Sequence, residues 1–446
     1  MAPIQPTTAI SVGIIGMGDM GRMYANGISR AGWMVNACDR EELYESLSND
    51  YKEAPNVRIF QNGHLVSRIS DYIIYCVEAE NIAKVVSAYG PSTKVGAIVG
   101  GQTSCKAPEI AAFEKFLPSD VEIVSCHSLH GPKVDPVGQP LVLIKHRASD
   151  KSYELVESIL GCFGSKFVHL SAVEHDRITA DTQAVLHAAF LSMGSAWTAN
   201  SQFPWEVPRW SGGIENVKMN VTLRIYSNKW HVYAGLAILN PAAQKQIKQY
   251  ATSVTELFKL ILCGERDEFR KRITEAGMAV FGGKKEGDEL LLKDELLDKF
   301  SLSGVPKQER KPNSHLSLLA MVDCWHKCGI VPYDHIICST PLFRLWLGAT
   351  EYLFRQPELL NECIEFALSD KQFRTDDLEF TFAARAWSDA VQLGDFNAYR
   401  KRFEAPQKYF APRFPEATRL GNEMIHTILE RTKILDGAKV QNEGHE

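Results

Sequence analysis

The hexapeptide Gly16-Met17-Gly18-Asp19-Met20-Gly21 is the strongest chemical signal in the chain. It follows a short apolar run over 10–15 and opens a helical spacing of Met20, Met23, Tyr24 and Ile28. In that setting a G-x-G-x-x-G suits a dinucleotide. The first glycine permits a tight turn, the second lets the backbone approach a pyrophosphate, and the third lets the helix pack close to the strand. The helix N-terminus then offers unpaired N–H groups to the phosphates. Asp39 falls 23 residues after Gly16, at the end of a second apolar run over 33–38. Its carboxylate would bond ribose hydroxyls and repel a 2′-phosphate, whereas Arg40 beside it would clamp that phosphate. The two readings conflict, with NADP slightly ahead of NAD. Val77, at the end of the run YIIYCV, completes the expected cofactor contacts.

Two polar clusters follow later strands, where ligands of open α/β sheets bind. One is Gly100-Gly101-Gln102-Thr103-Ser104-Cys105-Lys106, after an expected strand over 95–99. The other is His127-Ser128-Leu129-His130-Gly131-Pro132, after an expected strand over 121–125. A hydroxyl and an imidazole near a nicotinamide suit removal of an alcohol proton during hydride transfer. Imidazole fits the task because its ordinary pKa is near 6.5. His127 leaves its strand first, and His130 competes with it.

Further along, Asp176, Gln183 and His187 lie on one expected helix over 173–200 and share a side if its period is regular. That helix is otherwise largely apolar, so its polar groups need partners. An expected helix over 216–239 carries Arg224, Lys229 and His231, with Arg224 and His231 on one face. Arginine holds carboxylates bidentately, so Arg224 suits a carboxylated substrate, with surface charge as the plain alternative. Cys324 and Cys328 are the only close cysteine pair. Zinc would need a second ligand pair, so no metal is expected.

These residues need a scaffold. Short, continuously apolar runs alternating with helical spacings over the first 170 residues indicate a parallel sheet covered on both faces. Runs at 141–144 and 167–170 read as strands added at one sheet edge. The fold class is therefore α/β, a doubly wound Rossmann-type sheet over 1–172, followed by an all-α domain over 173–436. Helices are expected at 241–263, 315–329, 341–355, 358–368, 376–392 and 415–433. The segment 283–313 reads as a partly mobile surface connection, and 437–446 as a disordered tail.

Composition narrows the class. The 446 residues are 45% hydrophobic and 23% charged, which rules out wholesale disorder. The formal charge of -5 argues against a general nucleic-acid binder. No run of 18 apolar residues is present, so no membrane span is expected. No leader peptide is read at the start, and the ten scattered cysteines suit a reduced, cytoplasmic protein.

Together the motifs resemble the prephenate dehydrogenase family, most closely its fungal monofunctional branch, over roughly residues 10–435. The stretches that carry the likeness are VGIIGMGDMG, NGHLVSRISDYIIYCVEA, IVGGQTSCKAPEIAAFEKFLP, CHSLHGPKV, EHDRITADTQAVLHAAFLSMGSAW and LRIYSNKWHVYAGLAILNP. The resemblance implies oxidative decarboxylation of prephenate to 4-hydroxyphenylpyruvate in tyrosine biosynthesis, with NADP raised above NAD. It assigns the catalytic imidazole to His127, which opens His-x-x-x-Gly-Pro, with Ser104 of Ser-x-Lys assisting. It carries substrate contacts to His187, with Gln183 beside it. Arg224 is nearest to the family's substrate arginine, with Lys229 in reserve, although no clean counterpart aligns. It also implies a homodimer through the helical domain. Arogenate as substrate, another hydroxyacid dehydrogenase using Lys218 or Lys229, and a nucleotide-sensing binding protein are the competing readings.

Overall fold

In the computed structural model, residues 10–132, 134–283, 290–292 and 294–443 are described. The chain divides into two compact units, Met1–Thr179 and Ala180–Glu446. The division falls later than the expected 172, because helix Ala172–Thr179 packs against helix Lys106–Phe116 of the first unit.

The first unit is built on one eight-stranded sheet. Its strands are β1 (Ser11–Ile15), β2 (Met34–Cys38), β3 (Val57–Ile59), β4 (Tyr72–Tyr75), β5 (Ile98–Gly101), β6 (Glu122–Ser128), β7 (Pro140–Arg147) and β8 (Lys166–His169). Their order is β3-β2-β1-β4-β5-β6-β7-β8. The order reverses between β1 and β4, which is where such sheets open a ligand crevice. Successive side chains of a strand face opposite sides. Val12, Ile14, Tyr72 and Ile74 therefore enter one core layer, and Ile15, Ile73 and Tyr75 the other. Covering both faces explains why these strands read as unbroken apolar runs.

The expected parallel sheet is mixed, because β7 runs antiparallel to β6. That pairing reaches Ser128↔Leu141 and carries β6 three residues past the expected end at 125. His127 thus stands within the strand rather than after it. β5 begins at Ile98 rather than 95, since Val95 is exposed in the preceding turn. β3 carries no apolar periodicity and was not expected.

The second unit is helical. Its axis is helix Pro241–Cys263. The Asn240 side chain caps its start by accepting the Ala242 and Ala243 N–H groups, and Pro241 occupies the first turn. Gly264, at φ +70°, ends it. Ala243, Ile247, Tyr250, Val254, Leu257 and Ile261 bury one face in a core that also holds Trp197, Trp325, Trp346 and Trp387. Helices Arg266–Phe281 and Phe396–Phe410 add to those expected.

Three expectations change here. The helix expected over 216–239 is two, Ile214–Tyr226 and His231–Leu239, so Arg224 and His231 do not share one helical face. The helix expected over 173–200 changes period at Ala180–Ala184, a five-residue π-helical stretch, and the regular count from Asp176 to Gln183 and His187 no longer holds. Helix Phe414–Glu443 continues through 437–443, where a disordered tail was expected, while 444–446 lie outside the described residues.

The segment 283–313 is also more than a surface connection. Leu291, Leu292, Phe300 and Leu302 are buried in the helical core, and Leu297 is 1% exposed. Residues 284–289 and 293 lie outside the described residues. Leu297→Ala is therefore expected to lower unfolding free energy by about 2–5 kcal/mol in urea melts. A change within about 0.5 kcal/mol would return the segment to the surface.

Candidate active site

The chain leaves β1 and turns at Gly16, whose φ of +102° is a region that side-chain-bearing residues avoid. A Cβ there would collide with the Cys76 carbonyl oxygen. One on Gly21 would collide with the Gly16 carbonyl oxygen. Both glycines are thus demanded by the protein's own packing. Gly18 is different, since a Cβ on it would meet nothing within 4 Å. Gly18 caps helix Asp19–Arg30 with no side-chain hydrogen bond. The result is bare, exposed backbone at a helix N-terminus on the crevice side of the sheet, which fits a dinucleotide pyrophosphate. Met17 is buried beneath the loop, Met20 and Val77 are half-buried, and Asp19 is exposed in the helix's first turn.

Asp39 and Arg40 separate clearly. The Asp39 carboxylate accepts the Met17 N–H at 2.5 Å and the Arg40 N–H at 2.7 Å. It braces the glycine loop, and each of its oxygens is engaged by backbone. The Arg40 side chain is 72% exposed, with only loose contacts to Asp39 (3.8 Å) and Glu42 (3.4 Å). Exposed pairs of this kind contribute little, so the guanidinium can turn to a 2′-phosphate at small cost.

Beyond β4, the ladder between β5 and β6 consists of Ile98↔Glu122 and Val99↔Ile123. Past it, the fully buried Lys106 side chain joins the two strands. Its Nζ donates to the carbonyls of Gly101 (3.0 Å) and Cys126 (2.8 Å), to Ser125 Oγ (3.1 Å) and to Glu109 Oε1 (2.9 Å). Glu109 Oε2 accepts the Thr103 N–H at 3.1 Å and the Thr103 hydroxyl at 2.5 Å. The lysine of the Ser-x-Lys motif is therefore a structural cation. Ser104 sits half-buried on the short loop it anchors, at the carboxyl end of β5.

On neighbouring β6, His127 is 7% exposed. Its Nδ1 lies 2.8 Å from His175 Nε2, and His175 Nδ1 lies 2.9 Å from Asp176 Oδ1. Asp176 in turn accepts the N–H groups of Lys106 (2.6 Å) and Ala107 (2.7 Å), at the N-terminus of helix Lys106–Phe116. Burial, then His175, Lys106 and His130, hold the His127 imidazole well below its usual pKa. Burial also depresses His175 against the opposing pull of Asp176. Burial raises Asp176, but hydrogen bonds from His175 and the Lys106 and Ala107 N–H groups outweigh it and keep the carboxyl below its ordinary range. His130 donates from Nδ1 to the Gly131 carbonyl at 3.0 Å, and its buried Nε2 finds no partner among the described residues. Sequence reasoning missed the role of His175 and Asp176, because adjacent His-Asp residues on a helix carry no spacing signal.

The remaining candidates belong to the helical unit. His187 is buried, its Nδ1 unpartnered among the described residues, and burial pushes its pKa down to about 3. It is a neutral hydrogen-bonding group and not the cation expected to help hold substrate. The buried Gln183 Nε2 is likewise unpartnered. Tyr233 packs edge-on to His187 at 4.7 Å between ring centres. Arg224 is half-buried, donates to Asn422 Oδ1, and is lowered by burial against the opposing field of Tyr233. Lys229 is exposed. Among the described residues no group of three or more His, Cys, Asp or Glu could hold a metal ion.

A family model described as a 6-phosphogluconate dehydrogenase C-terminal domain matches residues 184–430. Another, NADP oxidoreductase coenzyme F420-dependent, matches 11–99. A Schizosaccharomyces pombe protein named probable prephenate dehydrogenase (NADP(+)) is 63% identical over 421 residues, 94% of this chain and 97% of that one. The chain belongs to the prephenate dehydrogenase family, in its fungal NADP-dependent branch. The prephenate dehydrogenase (NADP(+)) of Saccharomyces cerevisiae is 56% identical over 439 residues, 97% of this chain and 96% of that one. A more distant relative, the probable arogenate/prephenate dehydrogenase of Methanocaldococcus jannaschii, is 22% identical over 284 residues, 63% of each chain.

The depressed His187 makes a thermodynamic prediction. An unfolded chain protonates this histidine below about pH 6.5, while the folded one leaves it neutral down to about 3. The unfolded state then binds more protons, so stability falls as pH drops below about 6.5. The share of His187 approaches about 1.4 kcal/mol per pH unit. Denaturant melts between pH 7 and 5 should show a shallower loss in His187→Gln than in the unaltered protein. Parallel curves would mean that the imidazole is charged in the fold.

Proposed function

We propose that the protein oxidatively decarboxylates prephenate to 4-hydroxyphenylpyruvate with NADP, a step of L-tyrosine biosynthesis, and that His127 is its general base with Ser104 assisting. The supporting observation is a buried, neutral imidazole at the carboxyl edge of the sheet that also bears the open Gly18 cradle. Gly16–Gly21 would receive the pyrophosphate, Arg40 the 2′-phosphate, and Val77 would flank the bound dinucleotide. When bound, NADP accepts the hydride that leaves C4 of the substrate ring. His127 takes the C4 hydroxyl proton as the carbonyl develops. Loss of the ring carboxylate as CO₂ then returns an electron pair to the ring and makes it a phenolate. His127 gives the proton back to that oxygen, so no net proton is released. Ser104 shares the hydrogen bond to the same oxygen.

Prephenate carries two carboxylates, and a neutral imidazole cannot balance them. Arg224 is our choice for that charge, with Lys229 in reserve, while His187 and Gln183 supply neutral hydrogen bonds. Lys218 is unsuited to the lysine role of other hydroxyacid dehydrogenases. It is buried 2.8 Å from Glu215 Oε1 and 2.9 Å from His315 Nδ1. We read the protein as cytoplasmic and homodimeric through its helical unit. All ten cysteines are free, and among the described residues no helix is long and apolar enough to cross a membrane.

Incubation with prephenate and NADP, following absorbance of the reduced cofactor, tests the reaction. His127→Asn should retain NADP binding and lose at least about 10²-fold in turnover. In the unaltered enzyme the acidic limb of kcat/KM should lie below pH 6.5, because the base is already neutral there. Arg40→Ala should raise the KM for NADP and leave that for NAD nearly unchanged. Wild-type turnover in His127→Asn would end the base assignment, and equal effects on both cofactors would end that of Arg40.

A further inference from the structure

We infer that His175 and Asp176 are positioning residues that fix the tautomer of His127, keeping the proton on Nδ1 and leaving Nε2 bare to receive the substrate's proton. The inference rests on the base reading of His127 and extends it to two residues that do not touch the ring's reacting side. The steps follow from what each group can accept. An ionised carboxylate only accepts hydrogen bonds. Asp176 Oδ1, 2.9 Å from His175 Nδ1, therefore requires that Nδ1 to carry a proton. A neutral imidazole has one N–H, so His175 Nε2 is an acceptor. His127 Nδ1, 2.8 Å from it, must then be the donor. That leaves a lone pair on His127 Nε2, which has no hydrogen-bond partner among the described residues and is not one of the sealed, unpartnered atoms.

The reverse arrangement is penalised at its anchor. It would set the His175 Nδ1 lone pair against a carboxylate. Rotating Asp176 offers no escape, because Oδ1 accepts the Lys106 N–H and Oδ2 the Ala107 N–H. Both oxygens are already committed at a helix N-terminus, where negative charge is favoured. The charged and titratable groups that act on His127 are His175, Lys106 and His130, and Lys106 is itself paired with Glu109. The cation beside the ring makes an imidazolium unfavourable at rest without supplying a proton to either nitrogen.

Asp176→Asn is the informative change. An asparagine cannot accept from both backbone N–H groups and also from His175. Turning its NH₂ toward His175 Nδ1 reverses every bond in the chain and puts the proton on His127 Nε2, where it blocks the base. Three measurements on the full-length enzyme with NADP and prephenate test this. Nitrogen-15 NMR of histidine-labelled enzyme, with His127→Asn to assign the signal, should show His127 as the Nδ1–H form above pH 6.5. In Asp176→Asn it should show the Nε2–H form. The kcat of Asp176→Asn should fall at least about tenfold, with the KM for NADP within about twofold of wild type. In a His127→Asn background, Asp176→Asn should cost nothing further.

If Asp176→Asn does not fold, His175→Phe removes the same constraint while keeping the bulk, and it should likewise lower kcat only where His127 is present. An Nε2–H signal in the wild type, or an equal loss from Asp176→Asn in both backgrounds, would overturn the inference. Near-wild-type turnover of His127→Asn would instead sink the base reading. The pair would then lose its catalytic meaning even with the Nδ1–H tautomer observed.

Discussion

The Lys106 ammonium is the contact on which the candidate site depends. It lies where β5 and β6 stop pairing, and it satisfies two carbonyls, a hydroxyl and a carboxylate that would otherwise be stranded in the gap. A buried charge pair is weak evidence for stability as such, because desolvation offsets attraction. Removing one partner is another matter, at about 3–5 kcal/mol for the uncompensated charge left behind. What the pair contributes is position. It ties the loop carrying Ser104 to the strand carrying His127, and the backbone N–H of the same lysine holds Asp176. One residue thus sets the spacing of three groups without touching the chemistry.

At the other end of the unit the same logic operates through glycines. Gly16 and Gly21 are required by contacts of the loop with Cys76 and with itself, and Asp39 holds the loop through the Met17 N–H. Only Gly18 is free of such demands. A motif that looks like three equivalent glycines is therefore two structural positions and one that faces outward. The acidic residue, commonly taken as a ribose ligand, is in this chain a brace, which removes the apparent conflict between Asp39 and Arg40.

How much of this was legible beforehand follows from the length scale of each signal. The glycine loop, the His127 motif and helix Pro241–Cys263 are written in local spacing, and their elements lie where spacing placed them. The last strands of the sheet were visible as apolar runs, but their direction was not, because antiparallel pairing of β6 with β7 is a non-local choice. β3 has three residues and no fully buried face, so it left no periodic trace. The π-helical stretch at Ala180–Ala184 and the break between Tyr226 and His231 defeated face-counting, which assumes one unbroken period. The segment 283–313 misled through its composition, since scattered leucines among charges do not announce that Leu297 and its neighbours are core. The His127–His175–Asp176 chain joins residues 48 positions apart and only then adjacent ones, so no window of sequence contains it.

The electrostatics impose a division of labour. His127, His175 and His187 are each buried and held neutral, which equips them to exchange or share protons and disqualifies them as counter-ions. Lys106 is charged but spent on its own pair. A reaction on a dianion with a phosphate-bearing cofactor must then draw its positive charge from arginines, whose guanidinium stays ionised even when burial depresses it. Arg40 has that freedom through exposure. Arg224 is half-buried, and the neutral amide of Asn422 bonds it without cancelling its charge. An arginine held by an amide keeps its full charge for an incoming carboxylate, whereas one paired with an acid would first have to be released. That distinction favours Arg224 over every buried cation in the helical unit whose partner is a carboxylate, Arg209 and Lys218 included.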